Sequence, residues 1–243
     1  MVRISIITQS IDLGLMRFIE KISHDKRIQI DNIILAPPCD LHPKRLEQIV
    51  NKKNLFRKDS NLFLYFKNFI IYILKKSYIA DFIIFILFLF QKTTLRIKLF
   101  KADQDWNFQD EKIFSVIAIT YSYEGLLSED TIAKFEKGIV NVHPAYIPEY
   151  RGLDASLWAL YEGHYLGVSA YKIDKGIDTG KVLKRFPLKE HFSSLNQYIS
   201  IIKALKNNSY ISGVLALDNG NFEIEEPNIN RSQNRGVMSK EHL

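Results

Sequence analysis

An asparagine, a histidine and an aspartate follow two predicted strands and carry the groups that acyl transfer needs. Asn141 and His143 come directly after a β-branched pair at 139–140, and Asp178 lies in a glycine-bounded loop after a predicted strand over 168–173. Amide and imidazole N–H groups can stabilise an oxyanion, and a carboxylate can orient an imidazole or relay its proton. If the two strand ends are adjacent, these side chains are sufficient for an acyl-transfer site.

Other interpretations of the same residues remain open. Buried Asn, His and Asp side chains can instead cap helices and tie loops together. His143, Asp174 and Asp178 could bind a metal by residue type, although no second histidine is near in sequence. Asp174 is expected to bond local backbone amides rather than to take part in catalysis. Pro144 and Pro148 prevent a helix from starting after His143, which predicts a rigid turn there.

The first 36 residues predict a strand, a helix and a second strand. Residues 3–8 alternate and are β-branched, Ser10 or Asp12 can cap a helix that runs to about residue 23, and residues 28–36 are nearly all apolar. A continuous apolar strand is typical of a parallel sheet that is buried on both faces. The unit predicts an open, doubly wound α/β sheet.

The remaining elements are assigned from periodicity and from turn signals. We predict a strand over 94–100, a polar connection over 103–114, a buried strand over 115–120, helices over 128–137 and 154–163, a strand after 183, a helix over 194–207, a hairpin over 213–225 around Asp218-Asn219-Gly220, and a loose polar tail over 228–243.

Composition limits the class of protein. The chain has 243 residues, of which 47% are hydrophobic and 25% charged, values that are typical of a globular protein. The single cysteine, Cys39, excludes an internal disulfide and a cysteine-rich zinc site, and no pattern that would activate its thiol surrounds it. The first eight residues lack the long apolar core of a signal peptide, so we predict a cytoplasmic protein.

The net charge of +6 is concentrated in one segment. Residues 52–101 contain eleven Lys or Arg and two acids, which gives +9 and leaves −3 for the rest. Within it, residues 61–90 are rich in aromatic and aliphatic side chains that Lys75, Lys76 and Asp81 interrupt, so the apolar runs are too short for a bilayer span. We expect helices packed on the sheet, which could also line a homodimer interface; a helix lying on a membrane surface is the alternative. The basic residues are interleaved with apolar ones and do not cluster on a polar face, which argues against nucleic-acid binding.

Three blocks in order carry a resemblance to a known family: Asn-x-His-Pro at 141–144, Pro-x-Tyr-Arg-Gly at 148–152 and Gly-Ile-Asp-Thr-Gly at 176–180. The chain resembles the formyltransferases that use N10-formyltetrahydrofolate, over about 115–183 and more weakly over 3–35. The resemblance implies a Rossmann-like, open, twisted, mostly parallel sheet flanked by helices. Residues 1–190 would form the catalytic domain, and residues 191–243 would add the C-terminal helix, hairpin and tail.

The resemblance also implies a site. Asn141, His143 and Asp178 would be catalytic, N10-formyltetrahydrofolate would be the co-substrate, and no metal would be needed. The pterin ring would be held mainly by backbone groups near Tyr121, Ser122, Tyr123, Gly125, Leu126, Ile173 and Gly176. The amine substrate would enter near Tyr150, Arg151 and Gly152. Ala145 departs from the family pattern, since many members carry Ser there, and residues 61–90 have no counterpart in it.

The acceptor amine is predicted by elimination within the family. The first loop, over 8–14, lacks the glycine-rich run that would bind the phosphate of glycinamide ribonucleotide. A methionyl-tRNA formyltransferase would be expected to have an RNA-binding barrel, for which the roughly 60 residues after Val182 are too few. A formyltetrahydrofolate hydrolase would be expected to have a regulatory domain before the catalytic one, whereas the first predicted strand here starts at residue 3. A nucleotide-linked 4-amino-4,6-dideoxyhexose, for example dTDP-linked and used for surface polysaccharide such as the O-antigen of lipopolysaccharide, is therefore favoured. Transfer to another small amine, or a folate-site or membrane-surface protein without turnover, are the alternatives.

Overall fold

The computed structural model describes residues 1–36, 78–102, 115–123, 125–228 and 233–238. The predictions made for Cys39, for the connection over 103–114 and for most of the apolar segment over 61–90 lie outside these ranges. Helices and strands are numbered in chain order over the described residues.

Seven strands form one sheet and two short strands form another. The strands are β1 (Val2–Thr8), β2 (Ile28–Leu35), β3 (Lys98–Lys101), β4 (Ile117–Thr120), β5 (Gly138–His143), β6 (Tyr150–Gly152), β7 (Gly167–Lys172), β8 (Val182–Pro187) and β9 (Gln233–Arg235). The large sheet has the order β3-β2-β1-β4-β5-β7-β8, and β6 pairs with β9.

The large sheet is mostly parallel. All pairs from β3 to β5 are parallel, whereas β7 runs antiparallel to β5 and β8 antiparallel to β7. The predicted strand–helix–strand unit is confirmed, because β1 and β2 are parallel neighbours joined by a helix. The predicted Rossmann-like fold class is therefore correct.

The helices lie on both faces of this sheet. They are α1 (Leu13–Ser23), α2 (Tyr78–Thr94), α3 (Glu129–Ala133), α4 (Ala155–Tyr161) and α5 (Leu195–Asp218). On one face, α1 and α5 bury large side chains, among them Phe18, Tyr198 and Tyr210, against the strands. A second, smaller cluster of buried side chains includes Ile7 and Ile139 on the strands and Phe135 after α3. Burial on both faces explains why the central strands are almost wholly apolar.

Asp12 begins α1, as one of the two predicted caps. Its Oδ1 accepts a hydrogen bond of 2.8 Å from the Leu15 amide, which satisfies one of the N–H groups that a helix start leaves unpaired. Ser194 caps α5 in the same way, accepting from Gln197 N at 3.2 Å. Both helices therefore begin where their sequences place a cap.

The predicted hairpin over 213–225 is wrong. Residues up to Asp218 continue α5, and Gly220 adopts φ +70° just beyond its end. A glycine in the left-handed region ends helices as readily as it forms hairpin turns, so Asp218-Asn219-Gly220 carries both signals. The predicted loose tail is also wrong over 233–238, since β9 pairs in parallel with β6 and Met238 is buried.

The strand predicted over 94–100 is displaced. The helix α2 continues to Thr94, and β3 begins only at Lys98. Part of the packing expected of the apolar segment is confirmed, because Phe88 is fully buried and Gln91 donates to the Met16 carbonyl of α1 at 3.0 Å. In the part of the chain that the structure describes, no helix combines the length and the apolar character that crossing a bilayer requires.

Candidate active site

The antiparallel pairing of β5 with β7 brings the first predicted site residues together. Asn141 is directly opposite Tyr171, and His143 is opposite Ser169. Residues that face each other across such a pair, and residues two apart on one strand, point to the same face. Asn141 and His143 therefore share one face at the end of β5, and Tyr171 shares it from β7.

Asp178 reaches this face from the loop between β7 and β8. One oxygen, Oδ1, accepts a hydrogen bond from the Tyr171 hydroxyl at 2.8 Å. The other, Oδ2, accepts from the Gly152 amide at 3.0 Å and lies 3.3 Å from His143 Nδ1. The backbone of Asp178 has φ +51°, a left-handed conformation that Asp tolerates better than most residues.

The environment of Asp178 favours its ionised form. Burial by itself would raise the pKa of this carboxyl. The charge of His143 and the hydrogen bonds from His143, from the Gly152 amide and from Tyr171 outweigh that effect, and the pKa lies well below its usual range. Asp178 is therefore a carboxylate at neutral pH, and its two oxygens are acceptors only.

His143 is 4% exposed, and its two ring nitrogens have different surroundings. Because the carboxylate of Asp178 can only accept, the facing Nδ1 must carry a hydrogen for the contact to be favourable. The other nitrogen, Nε2, is buried and has no hydrogen-bond partner among the described residues. Such an atom costs free energy unless a ligand or water satisfies it, so Nε2 is the natural point of contact for a substrate.

The carboxamide of Asn141 has a fixed orientation. Its Oδ1 accepts from the Val142 amide at 2.8 Å, and a backbone N–H can only donate, which identifies that atom as the oxygen. Its Nδ2 donates to the Tyr171 hydroxyl at 3.1 Å. An amide nitrogen has two hydrogens, and this bond uses one, so the second is available to a ligand.

Tyr171 joins Asn141 to Asp178 and was not predicted as a site residue. It is 4% exposed, and its pKa is raised well above the usual value, mainly by burial and then by the charge of Asp178. The sequence does contain the relevant signal, since Tyr171 lies on the predicted strand over 168–173 that leads to Asp178. What it lacks is the strand direction and register that place Tyr171 opposite Asn141.

The residues predicted to receive the acceptor lie next to Asp178 but contribute in different ways. Gly152 provides the amide that bonds Asp178, and Arg151 Nη1 donates to the Ile177 carbonyl at 3.2 Å. Tyr150 is buried, and its hydroxyl donates to Glu162 at 2.5 Å. Burial and this bond raise its pKa. The Tyr150 side chain thus supports β6, whereas Arg151 and Gly152 remain candidates for substrate contact.

The residues predicted to hold the pterin lie on the loops after β4 and β7. Three of the backbone amides, however, donate within the chain: Tyr121 to Ile7, Ile173 to Ile139, and Gly176 to the Asp174 carboxylate. These three amides are therefore already engaged, and other groups of the two loops must provide the contacts to a pterin. In the loop after β4, Ser122 and Leu126 are exposed, beside Tyr123 and Gly125. Ser122 has φ +50°, and Leu126 is 63% exposed.

Asp174 has the local role that its sequence context suggests. Its Oδ1 accepts from the Gly176 amide at 3.0 Å and from the Thr179 hydroxyl at 2.6 Å, so it shapes the loop that carries Asp178. Within the described ranges, no three His, Cys, Asp or Glu side chains are grouped as metal ligands would be. Ala145 is buried in an apolar cluster with Tyr150.

A separate cavity of about 360 Å³ lies near the other end of the sheet, lined by Arg3, Gln29, Asp31, Asn32, Arg96 and Lys98. Several of these residues are at or before the starts of β1, β2 and β3. Open α/β sheets bind their ligands beyond the carboxyl ends of the strands, where Asn141 and His143 lie, so we do not assign this cavity to the reaction.

Comparison with known proteins finds a family model that matches the segment containing most of the site. Residues 89–190 match the family model described as formyl transferase, which agrees with the resemblance seen in the three motifs. A methionyl-tRNA formyltransferase of Thermotoga neapolitana is 28% identical over 129 residues, which cover 52% of this chain and 41% of the relative. The chain thus matches less than half the length of that relative.

Two solved structures share the fold. A 4-N formyltransferase from Francisella tularensis is 14% identical, with a TM-score of 0.55, over 99% of this chain and 77% of the other. A phosphoribosylglycinamide formyltransferase from Anaplasma phagocytophilum is 15% identical, with a TM-score of 0.54, over 92% of this chain and 93% of the other. At such low identity these likenesses establish the architecture alone.

Proposed function

We propose that this chain transfers a formyl group from N10-formyltetrahydrofolate to the amino group of a nucleotide-linked amino sugar, because residues 89–190 match the formyl transferase family model. We propose as acceptor a 4-amino-4,6-dideoxyhexose, for example dTDP-linked, that is destined for a surface polysaccharide such as an O-antigen. On this proposal the enzyme works in the cytoplasm.

One observation carries the proposal. His143 is buried, its Nδ1 faces the carboxylate of Asp178 at 3.3 Å, and its Nε2 has no partner among the described residues. A histidine held in this way is prepared to exchange a proton at Nε2 with a bound substrate. We therefore assign to Nε2 the contact with the formyl group and with the attacking amine.

Three groups of the chain share the chemical work. The folate supplies the formyl carbon, to which the unprotonated amine adds. Nε2 of His143, when protonated, and the second Nδ2 hydrogen of Asn141 donate to the oxygen that becomes negative; losing one such donor typically costs about a hundredfold in rate or more. When the carbon–N10 bond breaks, the Nε2 proton of His143 can pass to N10, and the neutral imidazole, oriented by Asp178, then takes up the proton that the amine releases.

The start of α1 argues against a glycinamide ribonucleotide acceptor. Helix N-termini bind phosphate with free N–H groups and the positive end of the helix dipole. Here the carboxylate of Asp12 already accepts from the Leu15 amide and brings its own negative charge to this position. A phosphate would be repelled there, which favours an acceptor whose phosphates bind elsewhere.

Methionyl-tRNA is the second candidate acceptor, because the sequence relative from Thermotoga neapolitana is a methionyl-tRNA formyltransferase. The chain matches only 41% of that relative, so the likeness concerns a segment and not the whole protein. A single panel of acceptor substrates distinguishes a nucleotide-linked amino sugar from methionyl-tRNA.

The experiment is a spectrophotometric assay of N10-formyltetrahydrofolate turnover with dTDP- and UDP-linked amino sugars, glycinamide ribonucleotide and methionyl-tRNA. We expect turnover with a nucleotide sugar, and a loss of about a hundredfold or more in His143→Ala. His191→Ala, which removes an exposed imidazole outside the site, is the matched control and should retain full activity.

The possible outcomes separate the alternatives. Turnover with methionyl-tRNA alone would transfer the assignment to the second candidate. Equal activity of His143→Ala and His191→Ala would contradict the assigned site. If the folate neither reacts nor raises the Tm of the protein, the formyl-transfer proposal is wrong, since a ligand of the native state must stabilise it.

A further inference from the structure

We propose that Tyr171 is a positioning residue whose hydroxyl couples Asn141 to Asp178. It would thereby hold the two donors of the site, Asn141 Nδ2 and His143 Nε2, in their relative positions. The inference rests on the proposed function, and it adds a residue that none of the sequence motifs contains. The hydroxyl lies 3.1 Å from Asn141 Nδ2 and 2.8 Å from Asp178 Oδ1.

Every hydrogen bond in this network has a direction that its neighbours determine. The Val142 amide donates to Asn141 Oδ1, so the Asn141 nitrogen faces Tyr171 and donates to it. The Asp178 carboxylate can only accept, so the Tyr171 hydroxyl must donate its single hydrogen to Oδ1. The hydroxyl thus accepts one bond and donates its single hydrogen in another. Reversing either bond would place two donors or two acceptors opposite each other.

Tyr171 also determines how Asp178 faces His143. The carboxylate is held at Oδ2 by the Gly152 amide, and Tyr171 is the partner that the structure gives to Oδ1 among the described residues. Without the second anchor, the carboxylate can rotate about its last bond, and the 3.3 Å contact of Oδ2 with His143 Nδ1 loosens. This contact orients the imidazole, so loosening it would also displace Nε2.

A tyrosine suits this position because it stays a neutral donor. Burial and the adjacent carboxylate raise its pKa well above the usual value, so the hydroxyl keeps its hydrogen throughout the neutral and mildly alkaline range. The side chain is 4% exposed, which leaves little room for bulk water to replace it. Tyr171→Phe retains the ring and removes only the hydroxyl, so the packing of β7 on β5 should persist.

The first test compares Tyr171→Phe with Tyr198→Phe. Tyr198 is also buried, and its hydroxyl donates to the Ser156 carbonyl at 2.8 Å, away from the site. Both changes remove one hydroxyl that donates to an acceptor, and Tyr171→Phe also removes the acceptor of Asn141 Nδ2. We expect kcat to fall about tenfold in Tyr171→Phe, because hydrogen bonds to charged groups are strong, with KM for the folate within about threefold. Tyr198→Phe should keep the wild-type kcat.

The second test asks whether Tyr171 acts through Asp178. In an Asp178→Asn background the carboxylate is already lost, so adding Tyr171→Phe should lower kcat by less than about twofold. A further tenfold loss would show independent action and would overturn the proposal. Equal kinetics of Tyr171→Phe and Tyr198→Phe would overturn it as well.

The third test does not depend on turnover. Among the described residues, the titratable groups that face Asp178 are His143 and Tyr171, and the charged Arg151 side chain bonds the neighbouring Ile177 carbonyl. Loss of the Tyr171 donor brings the pKa of Asp178 in the folded protein closer to its unfolded value. The contribution of Asp178 to stability then shrinks and disappears at higher pH than in the wild type.

Urea unfolding between pH 6 and pH 2.5 measures this shift, with Tyr198→Phe as the control that should not show it. An unchanged acid profile in Tyr171→Phe would contradict the coupling even if the enzyme were active. Conversely, an absence of turnover in the wild type together with the expected acid shift would refute the proposed function and leave the coupling intact.

Discussion

At the scale of single residues, the site is a set of polar groups that converge on one carboxylate. Asp178 receives the Tyr171 hydroxyl and the Gly152 amide and faces His143. Together these interactions outweigh the cost of burial, and the pKa falls. The carboxylate therefore contributes to the stability of the fold as well as to the proposed reaction.

The stability role predicts an acid-dependent difference between the wild type and Asp178→Asn. A group whose pKa is lower in the folded state stabilises the fold above its unfolded pKa, about 3.9 for Asp, and loses that contribution as the pH falls through the folded pKa. The wild type should therefore exceed Asp178→Asn in the free energy of unfolding at pH 6. The difference should decrease steadily below about pH 4.

Urea denaturation followed by circular dichroism measures this difference at each pH. Tyr198→Phe is the control, because it removes a buried hydroxyl and no carboxyl, so its difference from the wild type should not depend on pH in this range. A difference between the wild type and Asp178→Asn that stays constant down to pH 2.5 would contradict the stabilised carboxylate.

At the scale of elements, α5 packs closely on the two strands that carry the site. Gly213 lies in the C-terminal part of this helix, before its last turn, and is buried. A Cβ atom at this position would lie 2.8 Å from Ala170 Cβ and 3.1 Å from Val140 Cγ1. Val140 and Ala170 directly precede Asn141 and Tyr171, so the position of α5 also affects the geometry of the site.

We predict that Gly213→Ala destabilises the protein, although Ala is the better helix former. The gain in helix propensity is about 1 kcal/mol, whereas overpacking of a close contact costs about 1–3 kcal/mol, and Ala170 Cβ cannot move aside. Thermal unfolding should show a lower Tm. The control is Ser200→Ala, at an exposed position of the same helix, which should be neutral or slightly stabilising. A Gly213→Ala variant with a Tm at or above the wild type would refute the argument.

At the scale of the whole molecule, the C-terminal segment returns to β6, the strand whose Gly152 amide bonds Asp178. The strand β9 pairs with β6, Arg235 forms an ion pair with Glu162, and the Gly236 carbonyl accepts from Trp158 at 2.9 Å. The segment therefore holds Gly152 in place, although about 80 residues separate the two in sequence. Its contribution to the site is indirect, through the amide that bonds Asp178.

Truncation tests this contribution. Removal of residues 233–243 eliminates β9 and the Arg235 and Gly236 contacts, so we expect the large sheet to fold but turnover to fall at least tenfold, because β6 loses its only strand partner among the described residues. Removal of residues 239–243 alone keeps all of these contacts and serves as the control, with activity close to that of the full chain. Equal activity of the two truncations would show that β9 does not support the site.

The sequence predicted the parts of the fold that depend on local patterns. The strands β1 and β2, and the starts of α1 at Asp12 and of α5 at Ser194, follow from periodicity and capping, and the structure confirms them. The hairpin assigned to Asp218-Asn219-Gly220 failed because the same residues can end a helix, and only the packing of Val214 and Leu217 against the sheet distinguishes the two.

By itself, the sequence determined the chemical groups and their order: an asparagine and a histidine at the end of one strand, and an aspartate in a loop after another. Only the tertiary structure decided that β7 runs antiparallel to β5, which places Tyr171 opposite Asn141 and brings its hydroxyl to Asp178. The physical reason is that strand direction and register depend on contacts between segments distant in the chain. The same holds for β9, whose pairing with Tyr150–Gly152 no local pattern contains.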